Sequence, residues 1–270
     1  MSDPFAPITI TIQIQNGPVT AIYALAAQCE LSRQQLKQAM SKGAVWLQIG
    51  KRKQRLRRAT RMLNNGELLS LYYDKTLLAL PVITPQLVAD FGLYSVWIKP
   101  AGMLSQGTEW GDHCSLLRFS EQAFAKPRHS FLVQRLDREA YGVMIIAHQR
   151  KAAGQLSALF QQRKIDKQYQ VWVDGEVPWQ QHRMDRLLDG KQAVSHFEKL
   201  SYDTELNRTQ LHVRIETGRK HQIRRHCAAA GYPVSGDVRY GQKSHDGLQL
   251  KASKLVFNCP VTHKKQEFSY

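Results

Sequence analysis

Three groups of residues have types and spacing that can do chemistry. The stretch LVQRLDREAYG, Leu132 to Gly142, sets Asp137 between Arg135 and Arg138, with apolar residues on both sides. Carboxylates in such company can do acid–base work, or form an ion pair that closes a strand end; spacing alone leaves both open. Tyr169 lies in the alternating stretch KIDKQYQVWVDG, where a tyrosine is either a working phenol or part of a core. The third group is ETGRKHQIRRHCAAAGYPVSGDVRYG, Glu216 to Gly241. Here a strand enters a Thr-Gly-Arg turn and a helix opens at once. Backbone amides at that helix start, with Arg219 and Lys220 beside them, make a natural phosphate site. Along the helix His221, Arg224 and Arg225 share one side, and Arg224 can reach inward while its neighbours face solvent or ligand.

These groups need elements to hold them. LYSVWIKPAGMLS reads as a strand that Pro100 stops, followed by a loop in which Gly102 permits an unusual backbone angle. Two apolar segments flank the Asp137 cluster. GQLSALFQQRKI is an amphipathic helix with Leu156, Leu159 and Phe160 on one face. KQYQVWVDG and TQLHVRIETG alternate as strands, and HQIRRHCAAAG is a helix that ends at Gly231. Interleaved strands and helices predict an α+β domain.

The N-terminal part has its own pattern. ITITIQIQ alternates Ile8, Ile10, Ile12 and Ile14 with polar residues and predicts a half-buried strand before an Asn16-Gly17 turn. Thr20 is placed to cap a short helix. Ser32 and Gln35 have capping-box spacing for a second helix, which stops at Gly43. AVWLQI is a strand, KRKQRLRRATR (Lys51 to Arg61) a basic loop, and NNGELLSLYY a turn and strand. The two prolines of LALPVITPQLVADFG mark a boundary near residue 80.

Lys and Arg exceed Asp and Glu by 16, and the pI is about 9.8. Charge of this sign and size points to a polyanionic partner, and nucleic acid fits best. The basic run carries seven cations in eleven residues without an acid, and like charges so dense repel unless an anion neutralises them. Lys51, Arg52, Lys53, Arg55, Arg57 and Arg58 are therefore expected phosphate contacts; the alternative is a solvated loop. No apolar run is long enough for a membrane span, and MSDPFAPITI lacks the features of a secretory signal. Cys29, Cys114, Cys227 and Cys259 lie far apart, which fits reduced thiols in a cytoplasmic protein and argues against a structural zinc site.

Two resemblances follow. SRQQLKQAMSKGAVWLQ…NNGELLSLYY resembles the S-four-type RNA-binding module, although QIGKRKQRL is longer and more basic than that family's usual turn. QRLDREAYGV resembles the H-R-L-D-R-x-T-S-G signature of RluA-type pseudouridine synthases. TGRKHQIRRHCAAAGYPVSGDVRYG follows the same family's T-G-R-x-H-Q-I-R-x-H…G-D-x-x-Y-G. KQYQVWVDG, WIKPAGM and LQLKASKLVFNCPVTHKKQEF resemble further segments of it, in the right order. This likeness covers roughly residue 85 to the end. It implies a catalytic domain over 81–270, with a mixed, largely antiparallel central sheet flanked by helices. A small α/β RNA-binding domain would precede it over 1–80.

The family isomerises uridine in RNA to pseudouridine without metal or cofactor. The resemblance implies that Asp137 is the catalytic carboxylate, as nucleophile or base at the sugar. Arg224 is its guanidinium partner, and Tyr169 stacks on the base and assists proton transfer. Arg135 would fill the stack vacated by a flipped base; Arg219, Lys220 and Arg225 would touch phosphates. Leu136 and Ile223 would wall the base pocket or pack in the core. Gln134 stands where the family has His, Ala140 and Tyr141 where it has Thr and Ser, and Lys251 where it has His. These departures suggest a divergent subgroup. Ribosomal or transfer RNA would be the partner, with large-subunit ribosomal RNA slightly favoured, and a monomer is expected. The competing readings are a non-catalytic RNA-binding or ribosome-assembly protein, and a metal nuclease built on His129, Asp137 and His148, a spacing that matches no ligand pattern.

Overall fold

The computed structural model describes residues 6–270. Two compact units divide the chain. The first takes the chain up to Ile83 together with Gln106–Ala123, and the second takes Thr84–Ser105 with Phe124–Tyr270. The single boundary expected near residue 80 thus becomes a boundary with an excursion. The physical reason is charge. Asp112, buried in that excursion, receives Arg55 Nε at 3.0 Å and Arg57 Nη2 at 2.6 Å. It supplies the acid that the basic run lacks.

In the first unit the strands are β1 (Ile8–Gln13), β2 (Val19–Thr20), β3 (Val45–Ile49), β4 (Arg52–Arg55), β5 (Met62–Leu63) and β6 (Leu68–Tyr73). Its helices are α1 (Ala21–Ala26), α2 (Arg33–Ser41), α3 (Lys75–Ala79) and, from the excursion, α4 (Leu116–Gln122). An antiparallel sheet runs β1-β6-β3-β4, with β2 and β5 paired apart from it. The Ser32–Gln35 capping box forms as expected, with bonds of 3.2 and 2.9 Å. Thr20 stands at the N-cap of α1, but its hydroxyl makes no capping bond. Gly43 ends α2 at φ +82°, and a Cβ there would lie 2.4 Å from Asp112 Oδ1, so only glycine fits. The basic run is not all loop: its first part is β4, hairpinned onto β3.

The second unit holds β7 (Gln86–Asp90), β8 (Tyr94–Lys99), β9 (Phe131–Leu132), β10 (Tyr141–Ala147), α5 (Arg150–Gln161) and β11 (Asp166–Asp174). Then come β12 (Gln181–Leu188), β13 (Lys191–Asp203), β14 (Arg208–Ile215), α6 (Gln222–Ala229), β15 (Leu250–Asn258) and β16 (Lys265–Ser269). The sheet order is β12-β13-β14-β11-β15-β10-β8-β7, with β16 on β15 and β9 on β10. All its pairings are antiparallel except β10 with β15, so the sheet is mixed and largely antiparallel. One core gathers Val143, Ile145, Leu156 and Phe257 near α5, and another gathers Val171, Val213, Ile223 and Cys227 near α6. Among the described residues no helix is long and apolar enough to cross a membrane.

Candidate active site

Asp137 lies in the loop between β9 and β10, and the peptides on both sides of it are fixed. Ser105 Oγ accepts from Leu136 N at 3.0 Å and donates to Leu136 O at 2.7 Å. On the other side the Arg138 carbonyl receives Gly102 N at 2.8 Å and Lys99 Nζ at 3.1 Å. Lys99 is wholly buried, and its ammonium also donates to the carbonyls of Pro100 and Met103. Burial draws its pKa down to about 7, against the charges of Glu139 and Asp137. The carboxylate is thus presented by a braced peptide rather than a free loop.

Strand β10 must run beside β15 for this loop to return to the sheet. Gly142 allows that approach: it has φ +121°, and a Cβ would sit 2.2 Å from the Ala252 carbonyl oxygen. Two of the sequence's departures meet at the same place. Tyr141 pairs with Lys251 across β10 and β15, and the Tyr270 ring sits edge-on to Tyr141 with Lys251 Nζ 4.6 Å from its centre.

Helix α6 brings the guanidinium. Arg224, 5% exposed, donates Nη1 to Asp137 Oδ2 at 2.9 Å. Its other edge grips Asp237, with Nε to Oδ2 at 2.7 Å and Nη2 to Oδ1 at 2.8 Å. Burial works against charge on Arg224, but the bonds to Asp237 and then Asp137 outweigh it and raise its pKa. Asp237 is also buried, and Arg224 with the amides of Arg239 and Tyr240 overcomes that burial to hold its pKa low. The helix begins at His221, in the left-handed region at φ 53°. Its Nδ1 is 3.0 Å from Tyr240 Oη, and its Nε2 is 3.8 Å from Asp137 Oδ1. Burial lowers the His221 pKa, partly offset by Asp137.

Tyr169 projects from β11 on the α6 side and packs against the second core. Burial raises the pKa of its phenol, and the Asp137 charge adds to that. A register shift between β11 and β15 occurs at this tyrosine; the extra residue, Ser253, is on β15, so β11 keeps its alternation. Ile223 is buried in the same core and Leu136 packs against it, which is the core-packing alternative of the two readings open for them.

The cations divide. Arg135 is exposed and lines a cavity of about 530 Å³ with Tyr169 and Arg219. Arg219 Nε also donates to Gln192 O at 3.0 Å, and Lys220 is exposed. Arg225 instead pairs with Asp189 at 2.9 Å. In the first unit Lys51, Arg52 and Arg58 are exposed, whereas Arg55 and Arg57 serve Asp112 and Lys53 lies 3.3 Å from Glu109. A larger hollow, about 1320 Å³, shares Arg163, Ile215 and Glu216 with the first cavity. Gln168, His212 and Arg214 line it, and it touches none of Asp137, Tyr169 and Arg224. His129 and His148 meet each other, through His148 Nδ1 and the His129 carbonyl at 3.2 Å, and neither reaches Asp137.

The arrangement can hold a carboxylate oriented beside an aromatic ring and a cationic margin, which suits chemistry on a ring attached to a sugar phosphate. Known proteins point the same way. A family model described as RNA pseudouridylate synthase matches residues 93–229, just over half of the chain. Ribosomal large subunit pseudouridine synthase D of Vibrio cholerae is 30% identical over 56% of this chain and 55% of its own length. tRNA pseudouridine synthase C of Yersinia pestis is 32% identical over 61% of this chain and 77% of its own. In general the chain spans about half the length of the curated relatives it matches. The solved human RNA pseudouridylate synthase domain containing 1 superposes with a TM-score of 0.59 at 19% identity, covering 69% of this chain and 83% of that one, a likeness of fold.

Proposed function

Because this chain belongs to the RNA pseudouridylate synthase family, we propose that it isomerises specific uridines in ribosomal or transfer RNA to pseudouridine. In that reaction the bond from the sugar's C1′ to N1 breaks, and a bond from C1′ to C5 forms. The C5 proton leaves to solvent, and N1 gains one. The observation that carries the reading is the triple placement of Asp137, Arg224 and Tyr169. A carboxylate is held at 2.9 Å by a buried guanidinium, and its neighbour Leu136 packs on the same core as the half-buried Tyr169. Asp137 is the catalytic carboxylate, acting on the sugar as nucleophile or base. Tyr169 stacks on the uracil and assists removal of the C5 proton.

A uridine stacked in a helix is out of reach of this carboxylate, so the base is flipped out at a cost of a few kcal/mol. Arg135, exposed at the rim, takes the vacated place, and Arg219 and Lys220 hold the strand. The first unit, which we read as S-four-like from its sequence, adds Lys51, Arg52 and Arg58 as exposed cations and inclines the substrate toward large-subunit ribosomal RNA. The test uses purified protein and RNA transcripts tritiated at uracil C5. Wild type releases tritium to water, and Asp137→Asn does not. Release by Asp137→Asn equal to wild type would remove the assignment.

A further inference from the structure

One cation in the second unit has no role in the chemistry above. Lys167 lies two residues before Tyr169 on β11, hence on the same face and about 7 Å away along the strand. It is 7% exposed, lines the 530 Å³ cavity, and among the described residues has one hydrogen bond, to the Thr217 carbonyl at 3.3 Å. An ammonium has three donors, so two are unspent. No carboxylate lies within ion-pair distance among the described residues. Burial, and then the charge of Arg163, lowers its pKa to about 8.

Arg163 lines the same cavity from the C-terminal end of α5. Its backbone is left-handed, φ 58°, at the position after a helix where glycine is usual. An arginine there carries a backbone cost that glycine would not. Arg135 and Arg219 complete the rim. Glu216, the acid in the lining, accepts from His196 at 2.8 Å.

We propose that Lys167 and Arg163 seat the RNA phosphodiester next to the target uridine. The seat deepens the isomerase reading and rests on it. A non-bridging phosphate oxygen takes the free donors of Lys167, and the guanidinium of Arg163 covers the outer side. The spacing of about 7 Å from Tyr169 suits one nucleotide step from a uracil stacked on that ring.

The test is binding of fluorescein-labelled heptauridylate, followed by anisotropy across a salt series, for wild type, Lys167→Met, Lys167→Arg and Arg163→Gly. Both neutral variants bind more weakly, and the slope of log K against log salt becomes shallower by about 0.7 for each phosphate that no longer meets its cation. Lys167→Arg keeps the wild-type slope. Arg163→Gly melts at the same temperature as wild type or higher, because it relieves the backbone, and still loses affinity; a merely structural arginine would not split these readouts. A wild-type slope in either neutral variant, or no binding by wild type, overturns the seat. Should Lys167→Met not fold, Arg163→Gly decides. Binding needs no turnover, so a seat that passes while tritium release fails would condemn the isomerase reading alone.

Discussion

Asp137 and Asp237 share one guanidinium. Arg224 gives Asp237 two bonds, at 2.7 and 2.8 Å, and gives Asp137 one, at 2.9 Å. The buried carboxylate fixes the arginine, and the arginine fixes the more exposed carboxylate. Asp237→Asn keeps the shape but breaks the fork, leaving Arg224 free to turn. The expected result is a kcat lowered about 10²-fold with KM little changed, since misplacement by an ångström costs that much. Single-turnover tritium release on saturating RNA measures it; an unchanged kcat would mean that the fork does not position Asp137.

Ser105 makes a second prediction. Its hydroxyl satisfies both the N–H and the C=O of Leu136. Ser105→Ala leaves two backbone groups without that partner, at a cost of roughly 1–3 kcal/mol. Denaturant melts should show the loss of stability, and kcat should fall with it.

The basic run divides into two kinds of cation. Gln at Lys51, Arg52 and Arg58 should lower the salt slope of RNA binding and leave the melting temperature in place. Gln at Arg55 and Arg57 leaves Asp112 buried without its ion pairs, and should destabilise by roughly 3 kcal/mol or more. Equal effects of the two sets on both readouts would remove the distinction.

His226 sets a pH dependence of stability. It is wholly buried, Nδ1 lies 2.9 Å from Ser195 Oγ, and burial takes its pKa from 6.5 down to about 4. The unfolded chain takes up a proton below pH 6.5 and the folded chain does not until about pH 4. Stability is therefore intact above 6.5 and falls between 6.5 and 4, by about 3 kcal/mol from this group. His226→Asn should flatten that part of a chemical-denaturation pH series; the same slope in the variant would place the titration elsewhere.

Much of this is legible in the sequence. Local rules carry β1, α2 with its Ser32–Gln35 box, α5 and β11, because period and capping act over a few residues. Asp137, Tyr169 and Arg224 can be named because they sit in dense motifs. What brings them together is less visible. The β12–β13 hairpin is not among the expected elements, although Asp189-Gly190 at its turn is a strong hairpin signal. Lys99 is plain in the sequence as a lysine ending an apolar strand, but its carbonyl cradle comes partly from a loop distant in the chain. Ser105 leaves no signal, since one hydroxyl bracing a peptide 31 residues away has no local pattern. The basic run looks unopposed because its acid, Asp112, lies 55 residues beyond Arg57. Arg225 looks free for phosphate because the acid it meets, Asp189, stands on the turn of that same hairpin.

Whether Asp137 drives isomerisation in the cell is decided by a pseudouridine map of total RNA, by chemical labelling and primer extension, with and without this gene. At least one site in ribosomal or transfer RNA is expected to vanish, to return with the wild-type gene, and not to return with Asp137→Asn. Restoration of the site by Asp137→Asn, or an identical map without the gene together with no tritium release by the purified protein, would contradict the catalytic role.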